Sequence, residues 1–525
     1  MSSNVNWEVD RPDLSWALVR MHNPRPLPPL SQDLWGCVGE GRQRIQAAFG
    51  RPFLSRNRFV NGFLYTAQEP APPSSAPTFD EQEAAVTLER DWKERYLPEV
   101  LRIYSAMDRF DAFDADGVAL ADYLATVTYQ MTRLSEIHFL VVLPAYTAIN
   151  AFLDYCQPLF PEASDLNAAR LLQGYGNKTT EAGDALDDLA RVAEENELLP
   201  VLRNARTLED LSGSPTFASH LQAVLTEYGP LGADEGDAFG ASWADDLPRF
   251  FGEILGRTGR TDDLRGRRME LVRERDTALA EARARLGEEE RRRFDDLHDQ
   301  ARAGVILTED HHFYIDRNFR WRERRLVLKI GAQLVRRDVI DQDEDVYFLT
   351  LAEVTGALRD SSNLRHVAAG RRAEFARWQM LDPPARLGAP PPEGAAGSTD
   401  EIRRRHGARF MGAPVAQTTQ GVIRGSAASP GVAIGPARVV TRLEEADGIR
   451  PGDVLVCTTT NASWVTLFKT VAAVVTDTGG VLSHCAVVAR EYGLPAVVGT
   501  GVATRAISDG QMVEVDGIAG EVRVL

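Results

Sequence analysis

Between Ala472 and Gly499 the chain runs through a short β-branched apolar stretch, a glycine pair, a serine, a histidine and a helical segment that stops at another glycine. This order of residue types leaves little choice of local fold. Ala472 to Asp477 reads as a buried strand. Gly479-Gly480 allows a turn that residues with a Cβ resist. Ser483 is a good N-cap, Cys485 to Tyr492 has helical composition, and Gly493 sits at a C′ position with Pro495 just beyond. His484 therefore falls in the first turn of a helix, where free N–H groups and the macrodipole favour an anion. A neutral imidazole is a competent nucleophile near pH 7, and a phosphoryl group on it would gain from that helix N-terminus. Arg490, not at a spacing that stacks it over His484, either supports the site from the side or pairs with Glu491 or Asp477. The plain alternative is a histidine that only caps a strand–turn–helix connection, which for a lone histidine is the commoner case.

The whole stretch resembles the phosphohistidine signature of the phosphoenolpyruvate-utilising enzymes, among them phosphoenolpyruvate synthase, pyruvate phosphate dikinase and rifampin phosphotransferase. The resemblance extends upstream to Gly425-Ser426-Ala427-Ala428-Ser429-Pro430-Gly431. It continues through Pro451-Gly452-Asp453-Val454-Leu455-Val456 to Asp509-Gly510 and Val515-Asp516-Gly517. It implies a small swivelling domain in which His484 carries the phosphoryl group, with Thr478, Gly479, Gly480, Ser483 and Arg490 supporting it. Where many relatives carry a regulatory threonine two residues before the histidine, this chain has Leu482, so that type of regulation is not available.

Composition narrows the function classes. At 525 residues the chain is long enough for two to four domains, and its 44% hydrophobic and 26% charged content is ordinary for a soluble globular protein. A formal net charge of −17 argues against nucleic acid or an anionic membrane as partner. No run of transmembrane length and no signal peptide is read, and Cys37, Cys156, Cys457 and Cys485 are too far apart for a metal-ligand motif. A reduced, cytoplasmic setting without a bound metal is expected, with Cys485 as small buried packing. Of 59 basic residues only Lys93, Lys178, Lys329 and Lys469 are lysines, and no lysine-bearing phosphate loop is present.

The expected architecture is multidomain. Residues 1–386 form a mostly α-helical acceptor-binding body with an irregular or β-containing cap at 1–78. A flexible Pro/Gly/Ala-rich linker spans 387–420, and 421–525 is a small α/β swivelling domain ending in a hairpin. Helical periodicity marks Asp80 to Phe113, Leu120 to Cys156, Asp165 to Gln173, Thr180 to Glu194 and Asn318 to Asp338. Gly266 to Ala303 is so highly charged that one long solvated or edge-packed helix explains it.

Within the body the resemblance sharpens. His22-Asn23-Pro24-Arg25-Pro26-Leu27, Arg58 to Tyr65, Leu172-Gln173-Gly174-Tyr175-Gly176-Asn177, His311 to Asp316 and Asp343 to Thr350 are similar, in order, to the acceptor-binding middle domain of rifampin phosphotransferase-like proteins. Phenylphosphate synthase subunits look similar. Two departures matter. No part of 1–410 reads as the ATP-grasp domain that charges the histidine, and no phosphoenolpyruvate-binding barrel follows it. Where relatives have Tyr-Gly-His-Arg, this chain has Tyr228-Gly229-Pro230-Leu231, so rifampicin itself is a poor guess for the substrate.

The resemblance implies one component of a split phosphotransferase. A separate ATP-grasp partner, holding ATP and Mg2+, would phosphorylate His484. The small domain would then swing to a small hydroxylated acceptor in the helical body. Glu309, His311 and His312 are candidates for acid/base or binding work there, and Arg317 or Arg320 for clamping the phosphoryl group. Tandem histidines that simply pack a helix start are the alternative for His311 and His312. His138 reads as a satisfied core residue, and His220, His298, His366 and His406 as surface or helix-end residues. Two rival functions stay open: phosphorylation-coupled dehydration or condensation, and a non-catalytic phosphocarrier or regulatory protein.

Overall fold

A strand near the N-terminus, β1 (Ser15–Leu18), pairs antiparallel with β3 (Phe63–Pro70) on one side and with β4 (Arg386–Gly388) on the other; β2 (Phe53–Val60) completes the order β2-β3-β1-β4. One face of this sheet buries Trp16, Val60, Phe63, Tyr65, Ala67 and Leu387. The structure, a computed structural model, describes residues 5–20, 23–72, 78–110, 115–159, 168–232, 239–259, 264–360, 362–390, 398–412, 421–441, 443–460 and 464–525. His22 and residues 391–397 and 413–420 of the expected linker lie outside these residues.

The chain forms two compact units. The first takes Met1–Thr147, Glu235–Gly240 and Tyr314–Gly394; the second takes Ala148–Asp234, Ala241–Phe313 and Ala395–Leu525. This partition cuts across the expected boundary at 386/387. In the first unit the cap holds a helix, Pro29–Ala48, as well as strands, and further helices follow at Glu81–Asp91, Leu97–Arg109, Asn318–Arg336, Leu351–Asp360 and Arg365–Trp378. Asp80 caps the first of these by accepting the N–H groups of Gln82 and Glu83.

Helix Gly117–Leu159 contains an 18-residue window of mean hydropathy 1.4, long and apolar enough to cross a membrane where the sequence reading found no such run. Buried residues make up 61% of that window, the pattern of a core helix.

The helical part of the second unit includes Lys178–Glu195, Pro215–Tyr228, Leu247–Leu255, Leu264–Ala284 and Glu288–His311. The long charged segment is thus two helices, not one. It breaks at Gly287, whose N–H donates to Glu290 at 3.0 Å, and three glutamates fill the first turn that follows. A π-helical turn, His312–Arg317, continues directly from His311. His311 and His312 therefore end a helix and do not start one.

From Val422 on, eight strands form one sheet in the order β5-β12-β11-β7-β8-β9-β10-β6. They are β5 (Val422–Arg424), β6 (Ser426–Ser429), β7 (Val432–Val439), β8 (Val454–Cys457), β9 (Ala473–Thr476), β10 (Ala496–Val498), β11 (Met512–Asp516) and β12 (Glu521–Val524). The two ends of that order, β5 and β6, are separated only by Gly425, so the sheet curls round on itself. Strands β7 to β10 run parallel and β11 and β12 form the closing hairpin. Side chains along β8 and β9 alternate between two cores: Val454, Val456, Ala473 and Val475 pack with Val513, Val515 and Val522, while Leu455, Cys457 and Val474 pack under the His484 helix with Cys485, Ala486 and Val488.

Candidate phosphoryl-carrier site

His484 opens an eight-residue helix, His484–Glu491, with Ser483 as N-cap, as the residue types require. Ser483 Oγ accepts the Ala486 N–H at 3.5 Å, and Gly493 past the end has φ +60°. The loop before it is held by backbone. Thr478 donates both N–H and Oγ1–H to the Thr458 carbonyl, at 3.0 Å each. Gly479 has φ +102°, a conformation open to glycine. Gly480 N–H donates to the Phe410 carbonyl at 3.0 Å and Leu482 N–H to the Arg409 carbonyl at 2.7 Å. A Cβ on Gly480 would stand 2.1 Å from the Ala408 carbonyl oxygen, so the second glycine is fixed by close approach.

Arg490 takes neither of the expected acidic partners. Its guanidinium is buried and donates to the carbonyls of Ala428 and Val481, both at 2.7 Å, so it braces the loop from beneath. Burial pulls it down to about 10, against the pull of Glu491 and Cys485, which leaves it charged at neutral pH. Asp477 instead accepts from Thr500 and Thr504. Cys485 is buried, which pushes its thiol up to about 12 and makes it an inert packing residue.

The histidine itself meets the Glu288–His311 helix. His484 Nδ1 lies 2.8 Å from Glu309 Oε2, which also accepts from Thr179 Oγ1 at 3.1 Å. The Glu309 carboxyl is 4% exposed. Burial pushes it up, yet the charge and hydrogen bond of His484, the charge of His312 and the Thr179 hydroxyl together hold it below the usual range. An ionised carboxylate only accepts, so Nδ1 carries a proton, and in the neutral ring the other nitrogen keeps its lone pair. That nitrogen, Nε2, is buried and has no hydrogen-bond partner among the described residues.

Around this pair, Asn177 and Thr180 form a reciprocal cap that starts the Lys178–Glu195 helix and turns Thr179 towards Glu309. The Lys178 N–H donates to Asp310 at 2.8 Å; burial raises that carboxyl to about 6. The ring of His312 lies 6.4 Å, centroid to centroid, from His484. His311 is buried and donates from Nδ1 to the Leu307 carbonyl at 2.6 Å. Arg317 and Arg320 are residues of the first unit, where Arg320 pairs with Glu323 at 2.7 Å and lies over Trp35. His298, expected at the surface, is buried against Tyr175 and the Leu171 carbonyl. His138 is partly buried beside Asp316, at 3.1 Å.

Sequence reasoning missed Thr179 beside Glu309 and two contacts towards the far end of the His484 helix. Lys469 is buried on Asp187, which also accepts from Arg257 at 2.9 Å. Glu491 accepts the Gly174 N–H at 2.6 Å, tying the Gly174-Tyr175-Gly176-Asn177 motif to the end of the His484 helix. The rarity of lysine was the one available signal for Lys469; Thr179 had only its place inside the Asn177-x-x-Thr180 spacing of a cap.

Residues 449–520 match the family model of the PEP-utilising enzyme mobile domain, and residues 138–309 that of the rifampicin phosphotransferase fourth domain. Chondramide synthase cmdD of Chondromyces crocatus is 34% identical over 518 residues, 93% of this chain and 13% of that protein. The uncharacterized phosphotransferase YvkC of Bacillus subtilis is 31% identical over 418 residues, 78% of this chain and 49% of the relative. A rifampicin phosphotransferase of Streptomyces sviceus is 28% identical over 434 residues, 79% of this chain and 48% of the relative. The chain thus spans about half or less of the length of these relatives. His484 lies inside the mobile-domain match and Glu309 inside the fourth-domain match, so both partners of this hydrogen bond fall in segments that match phosphoenolpyruvate-utilising enzymes.

Proposed function

We propose that this chain is a phosphotransferase component that carries a phosphoryl group on Nε2 of His484 and passes it to a hydroxyl of a small organic acceptor. The observation that carries this reading is the His484–Glu309 hydrogen bond, which occupies Nδ1 and leaves Nε2 as the reactive atom. In transfer, the N–P bond to Nε2 breaks and the bond from the acceptor oxygen to phosphorus forms. The hydroxyl proton passes to a base, and Nε2 recovers its lone pair. Glu309 orients the ring throughout and offsets the positive charge of the phosphorylated imidazole. Its lowered proton affinity makes it a poor base, so His312 is the better candidate to take the hydroxyl proton.

ATP and Mg2+ supply the phosphoryl group and the charge neutralisation for loading the histidine. Glu309 is committed to His484 and Thr179, and Asp310 to the Lys178 N–H, so the described carboxylates beside His484 do not suit a magnesium site. We therefore assign nucleotide and metal to a separate ATP-grasp partner in the cytoplasm. Residues 421–525 would swing between that partner and an acceptor station; the contact of His484 with Glu309 supports an acceptor station on the helical side.

A second reading draws on the relative that covers 93% of this chain, which is named as a synthase. On that reading the acceptor phosphate is transient and leaves, giving a net dehydration or condensation. Intact mass after incubation with Mg-ATP, with and without a candidate ATP-grasp partner, tests the shared step. An acid-labile phosphoryl adduct that needs the partner and is lost in His484→Ala is the expected result. No adduct under any condition, or one that survives in His484→Ala, overturns the proposal. Retention or loss of phosphate on the product then separates the two readings.

A further inference from the structure

Residues 398–411, expected to be flexible linker, form a helix, Ser398–Met411, whose C-terminal half is fastened on two sides. Resting on the phosphocarrier reading above, we propose that this helix is a splint that seats the His484 loop for transfer, and that Asp154 is the positioning residue that docks and releases it.

Three side chains of the splint converge on one carboxylate. Arg409 donates to Asp154 Oδ1 at 2.8 Å, Arg405 approaches the same oxygen at 3.0 Å, and His406 Nε2 lies 2.6 Å from Oδ2. The Arg409 guanidinium is 1% exposed and also donates to Asn150 Oδ1 at 2.9 Å. From the same end, the last carbonyls of the helix take up the His484 loop: Arg409 accepts the Leu482 N–H and Phe410 the Gly480 N–H. Orphan carbonyls at a helix C-terminus need such partners, and here the partners are the residues two and four positions before the nucleophile. Arg409 is thus shared, with its side chain on Asp154 and its carbonyl on the loop.

A swing of residues 421–525 away from Glu309 must break one end of this connection. The loop end depends on backbone groups and on a glycine with no space for a Cβ, so it persists in any conformation that keeps the loop folded. The Asp154 end is made of side chains, two of them about one-third exposed: Arg405 at 38% and His406 at 32%. It can be remade with solvent. The splint therefore travels with the swivelling domain, and the Asp154 cluster sets how long that domain stays at the acceptor station. Asp154 touches neither His484 nor Glu309 among its described contacts, so its effect is on position.

Potassium phosphoramidate, which phosphorylates accessible histidines without an enzyme partner, gives a direct readout on the full chain. In Asp154→Asn, His484 should be phosphorylated about tenfold faster than in the native chain, because the undocked population rises. Hydrogen exchange at the Gly480 and Leu482 amides should stay slow, because the splint remains on the loop. Asp154→Glu should restore most of the native rate. The milder pair Arg405→Ala and His406→Gln, which leaves buried Arg409 in place, should fall between and guards against a variant that fails to fold. An unchanged phosphorylation rate in both variants, or fast exchange at Gly480 and Leu482 in Asp154→Asn, overturns the proposal. This outcome is independent of the phosphocarrier reading, whose failure would show as no transfer from Mg-ATP through any partner.

Discussion

His484 and Glu309 stand at the two ends of one hydrogen bond and are held by different physics. The histidine loop is fixed by main chain: carbonyls of Arg409 and Phe410 accept its N–H groups, Arg490 braces it through two further carbonyls, and glycine at 480 lets two backbones touch. Glu309 sits in the last turn of the Glu288–His311 helix and is fixed by side chains and charge: burial, the Thr179 hydroxyl and the two nearby imidazoles. A nucleophile held by backbone keeps its position whatever its protonation state. A carboxylate held by charge can tune the ring it faces, and changes with pH. The pairing suits a carrier that must arrive at one spot in two chemical forms.

The largest effect should come from touching the backbone side. Gly480→Ala places a methyl 2.1 Å from the Ala408 carbonyl oxygen and 2.4 Å from that of Arg409. Neither is a flexible side chain, so the loop or the splint must move. We expect a loss of about 3 kcal/mol or more, seen as a lower thermal midpoint and as exposure of the 398–411 helix to protease. A variant that melts with the native chain would show that the loop is not held as argued.

This backbone side was also the legible one. The glycine pair, Ser483, the short strand and Gly493 each dictate local conformation, so the position of His484 follows from residues within a dozen places of it. The hairpin at 511–525 was equally local. The long-range pairing of the sheet was not, because β5–β12 and β6–β10 pair residues about seventy to a hundred positions apart and periodicity carries no register between distant strands. Glu309 was singled out for the acceptor side, but nothing in spacing joins it to a histidine 175 positions on. The splint was missed for a physical reason: Ser398 to Met411 is polar, carries Gly407 and shows weak apolar periodicity, and its helix is stabilised by tertiary partners such as Asp154. The His311-His312 pair was read as a helix start because a π-helical turn has no distinctive composition.

A smaller and more selective effect is expected on the charged side. Glu309→Ala frees Nδ1, so phosphoramidate should then label both ring nitrogens, where the native chain is labelled on Nε2; phosphorus NMR separates the two isomers. Loss of the buried hydrogen bonds should cost about 2 kcal/mol. Glu309→Gln keeps the shape and removes the charge, and gives the pH test. The folded-state pKa of Glu309 lies below its ordinary 4.5, so its contribution to stability is present above that pH and is lost as pH falls through the folded value. The native chain should therefore lose stability more steeply than Glu309→Gln below about pH 4.5. Parallel acid limbs in the two melting series would mean that the carboxylate is not held by charge.

The smallest effect probes whether charge at the flank of the site follows the same rule. Lys469 is fully buried on Asp187, and burial, followed by the nearby Arg257, pulls it down to about 8 from 10.5, against the attraction of Asp187. Between those two values the unfolded chain binds more protons than the folded one, so stability should rise with pH across that window. Lys469→Met leaves Asp187 paired with Arg257, so the change at pH 7 should be under about 1 kcal/mol in either direction. The difference in thermal midpoint between native and variant chains should then shift in favour of the native chain from pH 8 to pH 10. A difference that stays constant over that range would place the lysine in a setting as permissive as solvent, and would confine charge tuning to Glu309 alone.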